Sequence, residues 1–137
     1  MKQLVFILSF FVWKNTCIGQ TPVGNKNQDQ RKVYFDPQIP PSFPAGEGAW
    51  GNFIAKNLDT GLPAKNGAPS GTYTVNVRFM VGMDSAVSNV TCENDPHYGM
   101  CQEAIRVVKK SGKWAPGKQD GRKVNGFKLL PIVFTIQ

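Results

Sequence analysis

Histidine occurs once in these 137 residues, at His97, and that scarcity removes a large class of chemistry. A lone imidazole without a carboxylate–nucleophile set to serve makes neither a catalytic triad nor a histidine metal cage. A solvated loop position is the plain reading of His97. Cysteine is also sparse, at Cys17, Cys92 and Cys101, and the C-x-x-C spacing of a redox pair is absent. Nine acidic residues face sixteen Lys and Arg. The nine are scattered, and no two are placed for acid/base work. Gly46, Gly48 and Gly51 precede or open a helical stretch with no strand before them, so they do not form a phosphate-cradling loop. These absences point away from an enzyme, and neither a cofactor nor a bound metal is expected.

A membrane-spanning run is missing too. The apolar stretch after Lys2 covers residues 4–13, broken only by Ser9, and falls well short of the roughly 20 residues a spanning helix needs. A charged start followed by about ten apolar residues matches a secretory signal peptide. Cys17 and Gly19 are small enough for the recognition positions, so cleavage is expected after Gly19, leaving residues 1–19 as leader. An uncleaved anchor, a buried core helix and a lipidated Cys17 are the alternatives, and Asn15 and Thr16 make a poor lipid-attachment site. Loss of Lys2 and Lys14 with the leader leaves 14 basic against 9 acidic residues. The basic residues are scattered apart from a loose group at 109–128 that lacks interleaved aromatics, so nucleic acid is not the expected partner.

Residues 20–41 are polar and read as a flexible tether, with Pro40 and Pro41 marking the start of a domain over residues 42–137. In that domain Trp50, Phe53, Ile54 and Leu58 follow helical spacing across residues 47–58. Residues 59–71 hold three glycines and two prolines and read as a loop. Strict period-two alternation runs from 72 to 83, with Tyr73, Val75, Val77, Phe79, Val81 and Met83 on one face. Asp84-Ser85 turns the chain into a second strand at 86–92. Cys101, Ala104, Ile105 and Val108 form a stripe on a helix over 100–111, with Glu103 in its first turn and Lys109 and Lys110 in its last. Residues 116–126 read as a turn-rich loop, and a last strand spans 127–136. The order α-β-β-α-β predicts an α+β domain: a small antiparallel three-stranded sheet with two helices packed on one face.

Four features remain for a site. Proline has no amide hydrogen to give a ladder, so Pro131 places the last strand at a sheet edge, where an extended peptide can add as a further strand. The plainer role of that proline is protection of the edge from aggregation. Cys92 and Cys101 bracket a strand–helix junction, and in an oxidising compartment a disulfide between them is expected. The set Cys92, His97 and Cys101 is the competing metal reading, short of a fourth ligand. Trp114, ahead of Pro116-Gly117, is expected to cap the core beneath the second helix, and Arg78 to stand solvated on the polar face of the first strand.

In their order and spacing, four segments resemble the C-terminal domain of TonB energy transducers, over roughly residues 43–137. LPAKNGAPSGTYTVNVRFMV resembles its loop and first strand. Asp84 with Val87 and Val90 resembles its D-G-x-V hairpin, Ser85 standing where glycine is usual. QEAIRVVKKSGKWAPGKQDGRKV resembles its second helix and W-x-P-G loop, and LPIVFTI its final strand, proline included. The resemblance implies a periplasmic protein-binding domain that takes up an N-terminal segment of a TonB-dependent outer-membrane receptor along its last strand. The residues concerned are Leu129, Leu130, Pro131, Ile132, Val133, Phe134, Thr135 and Ile136. It also implies inner-membrane motor partners if the leader stays as an anchor. Family members carry a longer Pro-rich tether, whereas residues 20–40 reach about 70 Å fully extended and about 25 Å as a random coil. A full transducer with an uncleaved anchor, and a secreted assembly protein without a receptor, are the competing expectations. Pairing of edges makes a homodimer a further expectation.

Overall fold

The computed structural model describes residues 32–137; the expected leader and its cleavage point lie outside them. Among the described residues the sheet has five strands, not three, and one of its pairings is parallel, so it is not the purely antiparallel sheet expected. They are β1 (Val33–Tyr34), β2 (Gly71–Val81), β3 (Val87–Cys92), β4 (Gly117–Gln119) and β5 (Arg122–Ile136). The two longer helices of the described residues are α1 (Glu47–Asn57) and α2 (Met100–Lys110), and a single helical turn, Leu62–Lys65, interrupts the loop between α1 and β2. The main path runs β1-β5-β2-β3, with β4 paired to β5 off that path.

The extra strands come from stretches without apolar periodicity. β1 pairs parallel with β5, Val33 beside Asn125 and Tyr34 beside Gly126. This docks residues from the stretch read as tether. β4 and the start of β5 form a hairpin across Asp120 and Gly121, both at positive φ (50° and 74°). Two successive left-handed residues suit a two-residue hairpin, and Asp-Gly is a favoured pair for it.

β2 and β5 pair antiparallel along eleven positions, from Gly71 beside Ile136 to Val81 beside Gly126. Directly opposed residues share a face, so the alternation of β2 carries over to β5. Val75, Val77, Phe79 and Val81 lie buried with Ile132, Phe134 and Ile136. Both helices cover this face: Met100, Ala104 and Val108 of α2 belong to the core, and Trp50 and Ile54 of α1 pack against it. The buried stripe of α2 is rotated from the expected one. Met100, Glu103, Ala104, Val107 and Val108 are buried, while Cys101 and Ile105 are only half-buried.

Cys92 and Cys101 form a disulfide, pinning the end of β3 to the first turn of α2. Both sulfurs are thereby used, which removes the Cys–His–Cys metal set. His97 stands on the intervening loop with its side chain 82 % exposed, Nδ1 3.9 Å from an Asp95 oxygen. Ser85 occupies a left-handed position (φ 71°) in the β2–β3 turn. Its carbonyl accepts from the Trp114 amide at 3.1 Å.

Candidate docking edge

The hydrogen bonds of Asn76 and Thr74 determine which way the main chain of β5 faces. The Asn76 amide donates to Asn94 Oδ1 at 2.8 Å, its carbonyl accepts from Glu93 N at 2.8 Å, and the Thr74 carbonyl accepts from Asn94 Nδ2 at 2.7 Å. These groups all point toward the end of β3, away from β5. In an antiparallel ladder such residues sit in the non-hydrogen-bonded pairs, and their opposite numbers also point outward. The opposite numbers are Pro131 for Asn76 and Val133 for Thr74. By the same alternation Leu129 and Thr135 face outward too.

The missing donor of Pro131 therefore falls on the side of β5 away from β2. On that side β1 covers Asn125 and Gly126. Beyond it, no strand of the described residues pairs with β5 from Lys128 to Ile136. The eight residues singled out in the sequence thus lie on one strand, laddered to β2 on one side and open on the other. Leu129 and Val133 present half-exposed side chains (50 % and 51 %) on the outer face. Leu130, Ile132, Phe134 and Ile136 face the core.

The sheet's other edge, β3, is a poorer template. It is six residues long, and a register shift interrupts its ladder between Arg78 and Met80. Asn89, within it, takes a left-handed φ of 51°. Bulges of this kind spoil an edge for further pairing. Arg78, expected to stand solvated, pairs with Glu93 across this end of the sheet and lies 6.0 Å from the Phe127 ring centroid.

Beneath the open edge, on the core side, lies a groove of about 290 Å³ lined by Ser42, Phe43, Glu47, Trp50, Trp114, Lys128, Leu130 and Pro131. Its aromatic walls hold one another edge to face. Trp50 and Trp114 ring centroids are 5.2 Å apart, Phe43 is 5.3 Å from each, and Trp114 stands 5.0 Å from Phe79. Such pairs add about 0.5–1.5 kcal/mol each beyond area burial. Trp114 is 2 % exposed and its Nε1 donates to Ser111 Oγ at 2.8 Å, so its polar atom is satisfied. Of these lining residues only Leu130 and Pro131 were singled out for docking in the sequence. Aromatics at 43, 50, 53 and 114 were the available signal, but their convergence is tertiary.

A wider hollow of about 640 Å³ lies at the other end of β2, lined by Met80, Met83, Asp84, Ser88 and neighbours. Asp84 is its one acidic group among the described residues, and Asp84 Oδ1 accepts from the Ala86 amide at 3.1 Å. Among the described residues no three His, Cys, Asp or Glu converge on a common point, and no helix is long and apolar enough to cross a membrane.

Comparison with family models, with curated proteins and with solved structures finds no match to this chain.

Proposed function

We propose that this chain is a periplasmic protein-binding module of the TonB C-terminal type, taking up an N-terminal segment of an outer-membrane receptor as an added strand on β5. One observation carries the reading: the outward row of main-chain donors and acceptors at Leu129, Val133 and Thr135, with the carbonyl of Pro131 between them. A sheet edge of this length is an aggregation hazard that proteins ordinarily blunt. Here Pro131 removes one donor, and the edge is otherwise long and unbulged, flanked by half-exposed Leu129 and Val133 on one face and an aromatic groove on the other. Main-chain pairing supplies affinity in such an arrangement, and the flanking side chains supply selectivity. The layout of helices over one face of a largely antiparallel sheet accords with the sequence resemblance, although the sheet has two strands more than the element order predicted, one of them parallel.

The test is Val133→Pro. Proline at 133 removes an outward amide and leaves the ladder to β2 intact, as Pro131 already does two residues earlier. Receptor N-terminal peptides should bind the variant at least tenfold more weakly, with the unfolding midpoint close to that of the parent. Unchanged binding by a well-folded variant, or no binding of any receptor segment by the parent, removes the proposal.

A further inference from the structure

We infer that the strand added to β5 carries an acidic residue and an aromatic residue two positions apart, the ring seated in the Phe43–Trp50–Trp114 groove and the acid beside Lys128. This rests on the docking reading above and names the chemistry of the guest. A strand laid along the open edge lies about 4.8 Å from β5, and its side chains alternate between the two faces. On the core-facing side its neighbours are the core-facing residues of β5, which are Lys128, Leu130 and Ile132 by their pairing with Phe79, Val77 and Val75.

A guest side chain level with Leu130 enters the 290 Å³ groove. The walls there are ring faces and edges, which favour another ring over an aliphatic chain through their quadrupoles. The next core-facing position of the guest is level with Lys128. Lys128 is half-buried at the groove and has no ion-pair partner among the described residues. An acidic side chain there complements it, and the basic balance of the chain, 14 basic against 9 acidic residues once Lys2 and Lys14 are set aside with the leader, favours an acidic guest generally. Glu47 also lines the groove, in the exposed first turn of α1, where solvent and salt screen its charge. Parity is the sharp part of this inference. At a spacing of two, both guest residues face the groove; at a spacing of one, the second is thrown onto the outer face.

The test uses the purified full chain and synthetic nine-residue peptides of alternating Thr and Val. One set carries Asp and Phe at a spacing of two, in both orders because a guest can run either way. Controls carry Ala for Phe, or the pair at a spacing of one. Dissociation constants come from fluorescence anisotropy, and shifts of the Leu129, Val133 and Thr135 amides report docking at the edge. One of the two orders should bind roughly tenfold more tightly than its Ala control, the size of a good ring contact, and the spacing-of-one peptide should lose that gain. Trp50→Ala should abolish the advantage of Phe. Lys128→Glu, at a position that does not hold the core, should abolish the advantage of Asp and transfer it to a peptide with Lys instead. If all peptides shift the edge amides with equal affinity, the groove has no part and this inference fails while the docking edge stands. If none shifts them, both fail.

Discussion

Glu103 is the one buried charged residue among those described, 5 % exposed, and three donors hold it. Arg106 contacts it at 2.9 and 2.5 Å, and the Asp59 amide donates to Oε1 at 2.9 Å. The same guanidinium reaches the Asn57 carbonyl at 2.7 Å, satisfying an acceptor that the end of α1 would otherwise leave without a helical partner. One side-chain pair therefore joins the start of α2 to the end of α1. The Arg106 hydrogen bonds, aided by the Asp59 amide, hold the Glu103 carboxyl below the usual range, against the opposing effect of burial. A carboxyl with a depressed folded pKa stabilises the fold above its unfolded pKa. That contribution is lost as pH falls through the depressed value. Urea unfolding across the acid range should therefore show stability falling with pH, and Glu103→Gln should flatten that slope while costing about 1–3 kcal/mol near neutrality. In the sequence Glu103 was legible only as an acidic residue suited to a helix start. Its burial depends on Asn57 and Asp59, more than forty positions away, which helical spacing does not report. Trp114 was more legible: a tryptophan after a helix and before Pro-Gly reads as core, and it is core.

Among the elements, those with strong periodicity were legible nearly to their ends. β2 follows directly from five of the six alternating apolar residues, the strand ending at Val81 and leaving Met83 in the turn beyond. The stripe on α2 was misplaced by about a quarter of a turn at 3.6 residues per turn, because Cys101 and Ile105 read as core by type while Met100 and Val107 are buried in fact. The rotation is consistent with the disulfide, which holds Cys101 toward β3. A cross-link spanning nine positions stabilises by about 2–3 kcal/mol in the loop-entropy model. Replacing Cys92 and Cys101 together by Ala should lower the unfolding free energy by that amount, measured by urea titration under non-reducing conditions. No change relative to the parent would mean that the junction is held by packing alone. The β4–β5 hairpin was hidden in a loop reading although Asp120-Gly121 announced it. Its flanks, Gly117–Gln119 and Arg122-Lys123, have no apolar alternation to mark them as strands.

At the scale of the whole molecule, the stretch ahead of α1 straps the sheet. Pro37 and Pro41 are buried. A Cβ on Gly117 would come within 3.0 Å of Pro37 Cγ and of the Ile39 carbonyl, and one on Gly126 within 3.2 Å of Pro37. Ile39 exchanges two backbone hydrogen bonds with Lys118, at 3.0 and 2.8 Å, and Ser42 two with Ala115. The polar composition of this stretch pointed to a free tether, since a strap held by prolines and backbone pairing has no hydrophobic period to betray it. A chain beginning at Ser42 should therefore be less stable by about 2 kcal/mol or more, from the two buried prolines and the lost Phe35–Phe127 stack. Differential scanning calorimetry of the shortened and full chains would measure the difference, and equal midpoints would show the strap to be energetically idle.

Phe35 stacks on Phe127 at 5.0 Å just where β1 leaves β5, and this ring pair gives the edge a fixed zero. An incoming backbone finds free places only from Lys128 onward, a span of about 30 Å for the nine positions to Ile136. Affinity should therefore climb with ligand length and level off near nine residues, in the manner of a tape measure whose end hook is already seated. Longer ligands would overhang without gripping.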